Sequence, residues 1–258
     1  MNKGNGRNMD YLDFGAESLL APLSTTSVSG AVLEILYPTR GRLRARDITR
    51  RSQSRASQRY PSWKMRRMMQ AESPHELNSM ILLDVNPRVR RYHEQPLIIR
   101  YVMNGREHLH FPDLLVELQP CLGELPGLLE VKPDRAARDP EIMARTQLMR
   151  AELPKHGFRY GLALAGTLAR KPRLSNAQLL LDHGRAPLSE LAREQLRQLF
   201  LSNGTLPWAA VLEGTLGIEG RQAICRLILE GRVGFDINQP LTPDTRLQWV
   251  NTLQERDS

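Results

Sequence analysis

The sequence predicts an α/β protein: a mixed sheet flanked by helices, followed by a helical unit that closes in a short hairpin. Three observations predict it. Apolar runs of strand length recur between Pro96 and Lys132, proline-capped helical stretches open at Ser73-Pro74 and Asp139-Pro140, and beyond Pro187 the pattern turns helical. At 258 residues, 41% hydrophobic and 25% charged, the chain can bury a sizeable core and, at ordinary domain sizes, form two domains. It has no uncharged apolar run of about 18 residues, and its amino end has no apolar stretch before a small-residue cleavage site. A cytoplasmic protein is therefore expected. Cys121 and Cys225 lie far apart and form no CxxC pair, so neither disulfides nor structural zinc are supported.

The elements follow in order. Residues 1–30 are polar and are expected to be mostly disordered, with structure beginning near Tyr60. Ser73, Pro74 and Glu76 read as an N-cap, a first-turn proline and a capping-box acid, and Leu77, Met80 and Ile81 carry helical spacing up to about Val85. Asn86-Pro87 stops that helix. Three strands follow, "PLIIRYVMNG", "EHLHFPDLLVEL" and "GLLEVK", the first two joined by a hairpin at Asn104-Gly105. Asp139-Pro140 opens a second helix with Ile142, Met149 and Leu153 on one face, and "FRYGLAL" returns as a strand. Three helical stretches then occupy roughly 188–201, 206–213 and 218–230, and "RVGFDINQPLTPDTRLQWV" closes the chain. Three helices and two short strands outline a winged helix-turn-helix. Eight arginines against nine acids from Arg185 onward favour a protein partner over a DNA groove for this unit.

Charge is distributed unevenly. Eleven basic residues (Arg40, Arg42, Arg44, Arg46, Arg50, Arg51, Arg55, Arg59, Lys64, Arg66 and Arg67) face Asp47 alone, so this one segment carries the whole excess of a chain with net charge +8. Serines interleave and no hydrophobic period survives over 40–60, which predicts an arm that orders on the phosphates of a polyanion.

The chemistry gathers around Asp113, Glu130 and Lys132. On a strand, Glu130 and Lys132 point to one face while Val131 points to the other. Pairing with the preceding strand brings the Asp113 carboxylate beside Glu130, and two buried acids repel unless a cation lies between them. Mg²⁺ or Mn²⁺ with a nearby lysine suits phosphodiester hydrolysis, whereas a strand-end salt bridge is the plainer reading of the same three residues. Glu76 reads equally as a third acid of the site or as the capping-box residue alone. His108 and His110 alternate on one strand without a third ligand and read as ordinary strand residues, and Met65, Met68 and Met69 beside Trp63 read as an apolar surface against the core. No phosphate-binding glycine loop is present in the sequence.

"PSWKMRRMMQAESPHEL", "LLDVNPRVRRYHEQPLIIRY", "FPDLLVEL" and "LLEVKP", in that order between about Tyr60 and Lys171, resemble the TnsA-type endonuclease subunit of Tn7-like heteromeric transposases. The resemblance implies a restriction-endonuclease-like PD-(D/E)xK fold with Glu76, Asp113, Glu130 and Lys132 at catalytic positions. It implies the use of two metal ions, Mg²⁺ or Mn²⁺, held by Glu76, Asp113, Glu130 and the Val131 carbonyl. It further implies cleavage of the 5′, non-transferred strands at transposon ends, beside a DDE transposase (TnsB-like) and an AAA+ regulator (TnsC-like) met through the carboxyl-terminal region. The expected organisation is a flexible lead (1–36), a basic DNA-contacting arm (37–67), the nuclease domain (68–171) and a winged-helix-like partner-binding domain (172–258). A stand-alone restriction or repair nuclease and a non-cleaving DNA-binding adaptor are the rival readings.

Overall fold

The computed structural model describes residues 28–38, 44–45, 58–214, 216–217 and 219–250. The described residues divide into two compact units, one within 28–83 and 88–169, the other of 84–87 and those within 170–250. No described helix is long and apolar enough to cross a membrane.

The first unit is mixed α/β. Its principal sheet has the order β4(Val89–Glu94), β7(Leu114–Leu118), β8(Gly127–Lys132), β9(Arg159–Leu164). β7 pairs antiparallel with both β4 and β8, while β8 and β9 run parallel. β8 is central and five of its six residues are buried, Glu130 among them. The β8 to β9 crossover contains α2(Pro140–Glu152), capped by Asp139, whose carboxylate accepts from the Glu141 and Ile142 amides. A second, antiparallel sheet has the order β1(Gly30–Leu36), β5(Ile98–Met103), β6(Arg106–His110). Asn104 and Gly105 join β5 to β6 with φ of 52° and 75°, the pair of left-handed residues that a tight hairpin needs. β2(Gln58–Ser62) and β3(Arg67–Ala71) form a separate hairpin, followed by α1(Pro74–Val85). The core joins both sheets to α2: Val32, Ile99, Tyr101, Leu128, Leu148, Met149 and Tyr160 pack in one buried cluster.

Several expectations need correction. Gly30–Leu36 is a strand and not part of a flexible lead, and ordered structure begins before Tyr60. β1 went unforeseen because it pairs with β5, some 65 residues away, and exposes Leu33, Glu34 and Leu36. "EHLHFPDLLVEL" is two strands in two sheets, broken at Phe111-Pro112 where proline has no amide to donate. β4 was missed because "VRRYHE" lacks clean alternation and has a register shift between Val89 and Arg91. Arg59, Lys64, Arg66 and Arg67, expected in an arm that orders only on a polyanion, lie in the β2–β3 hairpin or its turn. Arg40, Arg42, Arg46, Arg50, Arg51 and Arg55 lie outside the described residues.

After the one-turn helix α3(Ala165–Leu168) that follows β9, the second unit contains α4(Arg173–Gly184), α5(Glu190–Asn203), β10(Thr205–Pro207), α6(Trp208–Leu212), α7(Gly220–Leu229), β11(Val233–Gly234) and β12(Arg246–Trp249). The three strands form an antiparallel sheet of order β10-β12-β11. The sequence reading had neither α4 nor β10. α4 lies against α7 so closely that a Cβ at Gly184 would stand 2.8 Å from the Cys225 carbonyl carbon.

Gly30 imposes a similar constraint on β1, since a Cβ there would stand 2.3 Å from the Val102 carbonyl oxygen and 2.9 Å from a Leu148 methyl. Gly30→Ala is expected to prise β1 off β5 and cost about 1–3 kcal/mol, read as a lower Tm in thermal denaturation. An unchanged Tm would mean that the β1 contact contributes nothing to stability.

Candidate active site

β7 begins just after Asp113, and backbone hydrogen bonds hold that residue on both sides. Its amide donates to the Leu129 carbonyl at 3.0 Å, and its own carbonyl accepts from the Gln95 amide at 2.9 Å. Gln95, at φ 45°, in turn accepts from the Ala45 amide, so a line of main-chain bonds runs from β8 through Asp113 and Gln95 to residue 45. The Asp113 carboxylate accepts from the Val131 amide at 2.7 Å. Because the N–H and C=O of one strand residue point to the same side, the Val131 carbonyl also faces this edge of β8.

Glu130 and Lys132 share the opposite face of β8 from Val131, as period-two alternation requires. Lys132 Nζ lies 2.9 Å from Glu130 Oε1 and 4.0 Å from Asp113 Oδ2, bridging the two acids. Three of the four anticipated catalytic residues thus meet at the ends of two paired strands. Glu76 sits in the first turn of α1 and fulfils its capping role: its carboxylate accepts from the Glu72 amide and the Ser73 hydroxyl, and its own amide donates to Ser73 Oγ. Its charge is nevertheless felt at Asp113.

Sequence reasoning missed the partners of Glu130. This side chain is only 2% exposed, and Arg145 of α2 donates to Oε1 at 2.7 Å while Tyr160 of β9 donates to Oε2 at 2.6 Å. Tyr160 spends its one proton on Glu130, so the 2.9 Å contact between the Tyr160 oxygen and His110 requires His110 to donate from Nε2. Burial pushes His110 down to about 4, which leaves it neutral at physiological pH. His110, read from sequence as an ordinary strand residue, is therefore a buried member of this network; His108 instead stacks on Tyr101. No spacing links Arg145 or Tyr160 to Glu130, because the crossover through α2 brings them together.

The two acids are balanced differently. Burial works to raise the Glu130 carboxyl, but the charges of His110 when protonated, of Lys132 and of Arg145, with the Tyr160 hydroxyl, outweigh it and hold the group below the usual carboxylate range. Asp113 is pushed up to about 7 by burial, which the Lys132 charge only partly offsets and the Glu76 charge reinforces. Lys132 is raised despite its burial, because Asp113 and Glu130 hold its proton, so it acts as a cation and not as a base.

A second buried carboxylate lies next in sequence to Gln95. Glu94, also 2% exposed, pairs with Arg44 at 2.6 Å and Arg67 at 2.5 Å. Gln95 reaches Glu72 at 2.7 Å, and Arg44 also bonds to Gln70. Two of the anticipated phosphate contacts, Arg44 and Arg67, are thus engaged by Glu94, and Lys64 donates to the Leu83 carbonyl. Arg59 and Arg66 stand exposed. Of the three methionines, Met69 is buried and Met65 presents its sulfur to the Tyr92 amide, but Met68 is 51% exposed and does not face the core.

Among the described residues, no group of three or more His, Cys, Asp and Glu side chains stands ready to hold a metal ion. The donor chemistry nevertheless suits a hard cation. A carboxyl driven up to about 7 beside further acids is short of positive charge, and the Val131 carbonyl faces the same edge. The oxygens of Glu130 are already bonded to Arg145, Lys132 and Tyr160.

A mixed sheet with an aspartate at one strand end and a glutamate-x-lysine pair on its neighbour is consistent with the restriction-endonuclease-like class of nuclease. The family described as TnsA-like endonuclease N terminal matches residues 86–163, so the chain carries a TnsA-type endonuclease domain. The match includes Asp113, Glu130, Lys132, Arg145 and Tyr160 but not Glu76. No curated protein matches the chain.

Between the ordinary aspartate value and about 7, native Asp113 keeps a proton that the unfolded chain has lost, so its contribution to stability declines as pH rises through that window. Asp113→Asn is therefore expected to resemble the parent near pH 4 and to exceed it by at least about 1 kcal/mol at pH 8, measured by thermal denaturation without metal. A gain that does not depend on pH would contradict the assignment.

Proposed function

We propose that the protein is a metal-dependent DNA endonuclease that cuts the 5′, non-transferred strands at the ends of a Tn7-like transposon, beside a DDE transposase that acts on the other strands. The observation that carries this reading is the meeting of Asp113, Glu130 and Lys132 at the ends of two paired strands within the matched endonuclease domain. Mg²⁺ or Mn²⁺, as one or two ions, would stabilise the charge that develops on the scissile phosphate and favour the hydroxide form of water. Asp113, Glu130 and the Val131 carbonyl are the residues to hold it, with Glu76 contributing to a second position. Lys132, kept protonated by its two acids, orients the attacking water and offsets phosphate charge.

DNA flanking the ends would be held through phosphates by the basic segment, with Arg59 and Arg66 of the hairpin the exposed cations among its described residues. Arg44 and Arg67 serve instead as anchors to Glu94. The second unit follows the element order of a winged helix. Seven of the ten residues of α7 are buried and α4 lies across it, which leaves little of that helix for a DNA groove. We therefore assign this unit to a protein partner, an AAA+ regulator being the candidate.

Labelled transposon-end DNA incubated with the protein, Mg²⁺ or Mn²⁺ and the cognate transposase tests this. Expected are 5′-strand cuts that need the transposase and that fall by at least about 100-fold in Asp113→Ala and Lys132→Ala, with DNA binding kept. Cutting without the transposase would point to a stand-alone nuclease, and binding without any cutting to an adaptor. Because phosphate contacts release counterions, DNA affinity is also expected to fall by about tenfold or more between 50 and 200 mM salt. A flat salt response would remove the basic segment from the interface.

A further inference from the structure

The Glu130 oxygen that Lys132 contacts is also the one that Arg145 holds. Oε1 takes both Lys132, which bridges towards Asp113, and the Arg145 guanidinium at 2.7 Å, while Oε2 is bonded to Tyr160 with His110 behind it. Arg145 is itself incompletely satisfied, since its Nε is buried with no hydrogen-bond partner among the described residues. A guanidinium pressed into a carboxylate at this cost in desolvation supplies charge that something else must supply when it leaves.

We propose that Arg145 is a positioning residue that acts as a resting counter-ion for Glu130. It holds Oε1 while the site has no divalent ion, and it must be displaced before Glu130 can serve as a ligand. The proposal rests on the metal-dependent nuclease reading. Tyr160 and His110 belong to the other half of the arrangement: they keep Oε2 in place, so that exchange occurs at Oε1 alone. Arg145 thus sets a threshold of metal concentration below which the site stays closed.

Mn²⁺ titration of the full chain, read by the shift in Tm and by calorimetry without DNA, tests the threshold directly. Arg145→Gln removes the competing charge and is expected to lower the half-saturating Mn²⁺ concentration by about tenfold, because a like charge beside a cation site weakens it. Arg145→Lys keeps the charge and is expected to stay within about threefold of the parent. A merely structural arginine would give the opposite: Arg145→Gln would bind Mn²⁺ no better than the parent, or worse, and that result overturns the proposal. If Arg145→Gln does not fold without metal, its recovery by Mn²⁺ at concentrations that leave the parent unshifted supports the proposal, and no recovery overturns it. Asp113→Asn separates the two layers. A parent shift that Asp113→Asn abolishes, with no tightening in Arg145→Gln, removes the threshold and leaves the nuclease reading standing. The absence of any Mn²⁺ shift in every form removes both.

Discussion

The first unit is organised around the problem of keeping Glu130 charged inside a sheet. A carboxylate at this depth is tolerable only when fully paired and hydrogen-bonded, because the interior replaces little of its lost hydration. Its direct partners come from three places, Lys132 two residues along the same strand, Arg145 from the crossover helix and Tyr160 from the parallel neighbour β9, and neutral His110 from β6 of the other sheet backs Tyr160. The requirement explains why β8 is central, why the crossover helix must pack where it does, and why β9 carries a buried tyrosine. Removing any one partner would leave the others holding a charge that the core cannot solvate.

Asp113 is the complement of that arrangement. One acid is over-supplied with positive charge and the other is under-supplied, with Lys132 standing between them. Such separation of two neighbouring carboxyls into different protonation environments is a common mark of sites that perform chemistry, since a purely structural ion pair would balance both. The resting protein therefore stores an electrostatic deficit at one point of its sheet.

Much of this was legible in the sequence wherever the signal is local. Proline after a capping residue gave both long helices of the first unit, Asn104-Gly105 gave a hairpin, and period-two alternation placed Glu130 and Lys132 on one face of β8. What failed to show is what depends on partners distant in sequence. β1 and β4 carry too many exposed or charged positions to announce themselves, yet each is held by a strand elsewhere in the chain. Arg145 looks like any arginine on an amphipathic helix until the β8 to β9 crossover turns it inward. The basic segment illustrates the reverse error: counted as charge it is uniform, but Glu94 had already claimed Arg44 and Arg67.

The line of main-chain bonds from Leu129 through Asp113 and Gln95 to Ala45 means that the folding unit is larger than the recognisable one. The family match starts at residue 86, after β1, the β2–β3 hairpin and the whole of α1 have been laid down. A fragment trimmed to that match would keep Asp113 and Glu130 but expose the β5 edge that β1 covers, strip both arginines from Glu94, and leave the Gln95 carbonyl without Ala45. Transplanting this nuclease into another protein is therefore a question of carrying its amino-terminal scaffold along: the segment least recognisable by similarity sets the smallest portable module.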